Sequence, residues 1–371
     1  MPFQEAVIAG PEFSARVEPS GKYAFTLELE GRPRLRTGRA GCAAFSELSA
    51  LPKSFRRHAS SDGLSASVEA RSVIPFGCEY EVRREIELWD GCGTLTVDIA
   101  AVNHGAVGDL SLGEVSFPGP WTKLEFLLWG EKTFRAVELL AGEEKEFHHS
   151  PEIPVMIRLS DGAGCVVEFA AGGDLWRHRA GFRTPGATGE FTLTGSAEEV
   201  RFSRQILRYE PEVEPEKRPW RFSSLIAWRT GGDSEPEPAG ERVDFAAAEL
   251  PDSGRRVPAE GGGSAALPCL ASAAGRKFIR NLVRRASGSL VLTGAAPELC
   301  LDAAHLGRAG KGELEHFDLE DYFAFYLWGN HQLAGRGDSF TMLPAPECRF
   351  AGSAAVKNLG RTPRKLFPAE E

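Results

Sequence analysis

Carboxylates and imidazoles crowd one short segment of the 371-residue chain: Asp302, His305, Arg308, Glu313, Glu315, His316, Asp318 and Asp321, with His331 further on. Interleaved acids and imidazoles can divide general-acid and general-base roles, because burial and neighbouring charge move their pKa values apart. Glycosidic or epimerase chemistry needs that division. On this reading Glu315 and Asp318 form the carboxylate pair, His305 or His316 is the proton shuttle, and Tyr322, Tyr326 and Trp328 make an aromatic platform for a sugar ring. A plainer reading takes Asp318 as a helix cap, Asp321 as compensation of the helix dipole and the aromatic residues as core. His305, Glu315, His316 and Asp318 also have metal-ligating side chains, but their spacing matches no established pattern such as H-E-x-x-H, so no metal site is expected.

A second group, Trp176-Arg177-His178-Arg179, follows Gly172-Gly173-Asp174 and sets an aromatic plane beside cations and a titratable ring. Such a loop suits the rim of a carbohydrate cleft, since aromatic planes stack on sugar faces while Arg and Asp bind hydroxyls. It suits equally a tryptophan that covers the mouth of a sandwich. His148-His149 reads as a solvated loop pair. No phosphate-binding G-x-x-x-x-G-K-[ST] loop, strand-anchored G-x-G-x-x-G or G-x-S-x-G elbow is present, so no nucleotide cofactor or serine nucleophile is indicated.

The elements that must position these groups are mostly strands. Gly (41) and Pro (24) are abundant, which favours short elements joined by turns. From Phe13 to Trp228 apolar and polar residues alternate in short runs, such as Tyr23 to Leu29, Tyr80 to Leu88 and Leu95 to Val102, with Asp90-Gly91 and Asp161-Gly162 as turns. About a dozen strands before residue 230 imply a large antiparallel β-sandwich. Residues 1–229 are therefore assigned to the sandwich, 230–265 to a Pro/Gly/Glu-rich loop or linker, and 266–371 to a helix-and-strand segment packed on the sandwich. In that last segment Leu270, Ala274, Phe278, Leu282 and Ala286 recur every four residues before Gly288, predicting a helix. Its other face carries Arg276, Lys277, Arg280, Arg284 and Arg285 without an acid. A second helix is predicted over Leu319 to Ala334, capped by Asp318, and strands over 289–293, 299–301 and 340–343.

The run LTVDIAAVNHGAVGDLSLGEVSFP (Leu95 to Pro118), with YEVRREIELWD (Tyr80 to Asp90) before it, resembles the galactose mutarotase-like β-sandwich superfamily, to which aldose 1-epimerases belong. The resemblance covers residues 13 to 230. It implies a sandwich whose concave face binds a sugar, with Asn103 among the binding residues. Active aldose epimerases place a His in a His-x-Tyr-Phe type motif after the Asn strand, where this chain has Val115-Ser116-Phe117-Pro118. His104 points away from Asn103 if the alternation holds. The mutarotase reaction thus lacks its expected general acid.

Charge narrows the partners. Lys plus Arg (43) against Asp plus Glu (52) gives a net charge of −9, which argues against nucleic acid or an anionic membrane as partner. The first residues show neither a signal peptide nor a spanning segment, and the seven cysteines are scattered singly, so a reduced, cytoplasmic protein is expected. The expected function is carbohydrate binding, with acid-base catalysis on a sugar as its extension. The alternatives are a sugar epimerase or glycoside-cleaving enzyme built on Glu315 and Asp318, and a structural protein that oligomerises through residues 322–328. The sequence does not set the oligomeric state.

Overall fold

The computed structural model describes residues 3–42, 45–76, 78–101, 110–128, 131, 133–171, 188–207, 220–231, 237–248, 250, 254–258, 264–270, 272–295, 297, 318–346 and 348–368. Two units divide the chain, Met1–Gly231 with Lys365–Glu371, and Gly232–Arg364.

In the first unit the alternation becomes strands with one face enclosed. Along Cys78–Trp89 the residues Tyr80, Val82, Arg84, Ile86 and Leu88 are buried, while Glu81, Arg83, Glu85 and Glu87 on the other face are half-buried. The following turn closes at Asp90-Gly91, where Gly91 takes φ 80°, a left-handed value that a hairpin of two residues requires. Twelve strands form one sheet and nine the other. The nine run in the order Arg135–Glu138, Lys123–Leu128, Pro154–Ser160, Val166–Ala171, Trp220–Arg229, Cys92–Ala101, Cys78–Trp89, Ser65–Phe76, Leu51–Ala59, every neighbour antiparallel. This is the mainly β, antiparallel sandwich that the alternation predicts.

The sheets meet through aromatic rings. Phe169 of the nine-stranded sheet lies edge-on to Phe117 and Phe202 of the other, at 6.3 and 6.0 Å between centroids. All three are fully buried. Charges also enter this interior. Glu47, in a 3₁₀ turn Glu47–Ser49, receives Arg84 Nε and Nη2 at 2.6 Å each and the backbone N–H of Ala40 at 2.7 Å. Burial pushes the Glu47 carboxyl up, but the charge and hydrogen bonds of Arg84 outweigh it and hold the group below the ordinary carboxylate range. Among the described residues Arg204 has no such carboxylate. Its guanidinium donates to the carbonyls of Leu112 (3.2 Å) and Gly113 (3.4 Å) and to Ser224 Oγ (3.4 Å), and burial, aided by Arg84, lowers its pKa to about 9.

The second unit contains a three-stranded parallel sheet, Glu241–Asp244, Leu290–Ala295 and Phe340–Pro344 in that order. Helix α1 (Ala273–Arg285) and helix α2 (Asp318–Ala334) occupy the two connections, and α3 (Ala354–Leu359) follows the last strand. Ser272 caps α1 by accepting the N–H of Gly275 at 2.9 Å. Arg280 of α1 lies 5.7 Å from the Phe325 ring of α2, so the two crossover helices lie side by side. The Asn330 side-chain amide of α2 donates to the Phe340 carbonyl (2.8 Å) and accepts the Phe340 N–H (3.0 Å). Leu290 N–H bonds instead to Ser339, so the Phe340 groups point to the free margin of the sheet and Asn330 occupies it in place of a further strand at that residue.

Three expectations change here. The stretch 230–265 is not only linker: it supplies Glu241–Asp244 and the start of a hairpin, Gly254–Pro258 with Ser264–Pro268. His148-His149 stands in a strand, Lys145–Ser150, whose bulge between Glu146 and His148 breaks the alternation that would have revealed it. The parallel β-α-β order was not anticipated, because strands this short carry no sign of direction. The expected strand 299–301 lies outside the described residues.

Candidate functional site

Phe169, Arg84 and Ser224 fix which face of the nine-stranded sheet looks inward, since each meets a group of the other sheet or of its connecting turns. By register the residues of opposite parity share the face turned away from the twelve-stranded sheet. That face is polar. Asp98, on Cys92–Ala101, accepts Arg221 Nε at 2.8 Å and Nη2 at 3.0 Å from the neighbouring strand, a bidentate pair. Arg83 on the other side stands 3.9 Å from Asp98, 2.9 Å from Glu69 and 3.1 Å from Glu85. Glu69 and Glu85 are directly opposite one another in the ladder, where two like charges repel; Arg83 between them removes that repulsion. Burial raises the Glu69 carboxyl, but the hydrogen bond from Arg71 and the charges of Arg83 and Arg71 hold it below the ordinary range. Thr94, Thr96 and Ser223 share the face by register with Glu87, Glu85 and Thr96.

Asp98 is 6% exposed at its side chain and Arg221 55%, so the pair presents its guanidinium to solvent while the carboxylate stays fixed below. Such groups offer both donors and acceptors, as sugar hydroxyls require. A second ionic chain, Glu125–Arg158–Glu168, lies on the same face at 3.4 and 2.6 Å. It is remote from the first. Asp98 is opposite Arg221 and Glu168 is opposite Ala227, six residues along one strand, about 20 Å at the strand rise. The two carboxylates therefore do not form an acid-base pair. The single imidazole on this face among the described residues is His58, three strands from Asp98.

The residues singled out in the sequence fall as follows. Asn103, Trp176, Arg177, His178, His305, Glu315 and His316 lie outside the described residues. Asp318 is the first residue of α2. Tyr322 and Tyr326 are enclosed, and the Tyr326 hydroxyl donates to the Arg361 carbonyl at 2.5 Å, so these two rings are core and offer no platform for a sugar. Trp328 is half-buried, edge-on to Phe325 at 6.2 Å. With Phe323, Phe325 and Leu327 also buried, the aromatic segment is covered within the chain, which removes the basis for an interface through it. No group of three metal-ligating side chains occurs among the described residues. No described helix is long and apolar enough to cross a membrane. A cleft of about 400 Å³ is lined by Glu12, Ser14, Glu28, Glu30 and Thr230, none of them a residue of the ionic network.

The sequence reading missed the network of Asp98, Arg83 and Arg221. The parity of Glu81, Arg83 and Glu85 and of Thr94, Thr96 and Asp98 was a usable signal; Arg221, 123 residues from Asp98, was not.

No family model matches the chain. No curated protein matches its sequence. Some solved structures are similar, all at TM-scores below 0.5. An α-N-acetylgalactosaminidase of Bifidobacterium bifidum in a GalNAc complex is 12% identical, with a TM-score of 0.41, over 92% of this chain and 58% of that one. A galactose mutarotase-like protein of Lactobacillus casei is 8% identical, with a TM-score of 0.35, over 61% of this chain and 100% of that one. A glycoside hydrolase family 97 enzyme of Pseudoalteromonas is 8% identical, with a TM-score of 0.39, over 77% of this chain and 47% of that one. The chain thus spans less than two thirds of the length of the galactosaminidase structure. At these scores the likeness assigns neither fold nor activity.

Proposed function

We propose that the protein binds carbohydrate on the outward face of its nine-stranded sheet, with Asp98, Arg221, Arg83 and the neighbouring hydroxyls as the polar contacts. The observation that carries this reading is the bidentate Asp98–Arg221 pair, with a buried carboxylate and an exposed guanidinium on an ordered strand pair. A flat face plugged by aliphatic side chains would have opposed it. Screening mono- and oligosaccharides by thermal shift tests the proposal, because a ligand that binds only the folded state raises the midpoint, by an amount that grows with the logarithm of its concentration above Kd. Silence across neutral, amino and acidic sugars would reject it.

A second reading, an epimerase or glycoside-cleaving enzyme using Glu315 and Asp318 with His305 or His316, is favoured by one observation. The connection that holds these residues leaves the carboxyl end of Leu290–Ala295 in a parallel β-α-β arrangement, the end at which α/β units gather reacting groups. Release of nitrophenol from nitrophenyl glycosides by the wild-type chain, lost in Glu315→Gln with an unchanged unfolding midpoint, supports it. No turnover of any such glycoside or free aldose by the wild type counts against it.

A further inference from the structure

Strand Leu51–Ala59 is the margin of the nine-stranded sheet: Ser65–Phe76 pairs with one side and, among the described residues, nothing pairs with the other. All nine of its residues are exposed or half-buried. An edge of nine residues, about 30 Å, is long for a feature that proteins ordinarily shorten or cover; Pro52 has no N–H to donate and the register shifts between Pro52 and Ser54, so Ser54 to Ala59 is the stretch whose backbone groups can template another strand. On a chain of net charge −9 this strand carries Lys53, Arg56, Arg57 and His58 and no acid. Lys53 is paired with Glu81 at 3.1 Å, whereas among the described residues Arg56 and Arg57 have no ion pair. Leu48 and Leu51, 64% and 62% exposed, stand where the strand begins.

The charges choose the occupant. Antiparallel pairing of two copies along this edge would bring the Arg56-Arg57 pairs together, and like charges opposite one another oppose such a ladder. An acidic strand meets no such cost. We propose that this edge accepts an extended acidic segment of another protein by strand addition. The backbones complete the ladder, consecutive carboxylates meet Arg56 on one face and Arg57 on the other, and an apolar residue covers Leu51. Neither the site nor its test depends on carbohydrate binding.

Fluorescence anisotropy with a labelled peptide of about ten residues of glutamate, valine and threonine tests it. The wild-type protein should bind saturably and more weakly as salt rises. Arg56→Glu with Arg57→Glu should weaken binding about tenfold or more and favour the same peptide with lysine for glutamate. Arg57→Glu alone, opposite Val68 and clear of Glu69, should act in the same direction if the double variant unfolds. A peptide of equal charge with proline at alternate positions should bind about tenfold more weakly, since proline cannot donate to a ladder. Absence of saturable binding, equal binding of the proline peptide, or sedimentation showing a dimer that Arg57→Glu dissociates would each overturn the proposal.

Discussion

Glu47 and Arg84 show what a buried charge demands. Their two hydrogen bonds of 2.6 Å offset desolvation only while both partners are present. Arg84→Met should therefore cost about 3–5 kcal/mol in denaturant unfolding, and joining it to Glu47→Leu should recover only part of that loss, because the Ala40 N–H and the Arg39 guanidinium, 3.5 Å away, lose their acceptor. The pH dependence has a definite sign. A carboxyl whose folded value lies below its unfolded value stabilises above the unfolded value, and the contribution is lost as pH falls through the folded one. Acid unfolding of Glu47→Gln should accordingly show a shallower loss of stability below about pH 4.5 than wild type. Arg204 gives the opposite test: with no carboxylate among the described residues to abandon, Arg204→Met should be neutral or stabilising by urea titration, whereas a loss above about 3 kcal/mol would show that its carbonyl contacts outweigh its desolvation.

At the scale of elements, Asn330 has a role that packing alone does not describe. Its amide joins α2 to Phe340 through two hydrogen bonds and to the Tyr326 carbonyl through a third, all buried. Asn330→Leu should lower stability by about 2–4 kcal/mol, since two backbone groups lose their partners, while Ser272→Ala at the start of α1 should cost about 1 kcal/mol. Thermal or urea unfolding of the two variants separates these magnitudes. The two helices were legible in the sequence because their signals are local: Asp318 before acids and an apolar run, Gly335 after it, and a four-residue recurrence before Gly288. The strands of the second unit were not, since Glu241–Asp244 buries little and its partner begins 46 residues later at Leu290. His148-His149 was hidden by a bulge. Outward polarity of the nine-stranded sheet could be read from parity, but the pairing of Asp98 with Arg221 depends on strand order, which no local pattern encodes.

For the whole molecule, two sheets joined by a phenylalanine core hold the ionic face in register. Phe169 touches both Phe117 and Phe202, and Phe169→Ala should cost about 3–5 kcal/mol and loosen that face as it destabilises the sandwich. Carbohydrate binding there is the central claim, and calorimetric titration tests it most directly. The sugar giving the largest thermal shift would be titrated into wild type, Asp98→Asn and Arg221→Met, three proteins whose folded state is checked by circular dichroism. Saturable heat in wild type, weakened about tenfold or more in both variants, is the predicted result. Equal affinity in all three would contradict the account and move the sugar to another surface.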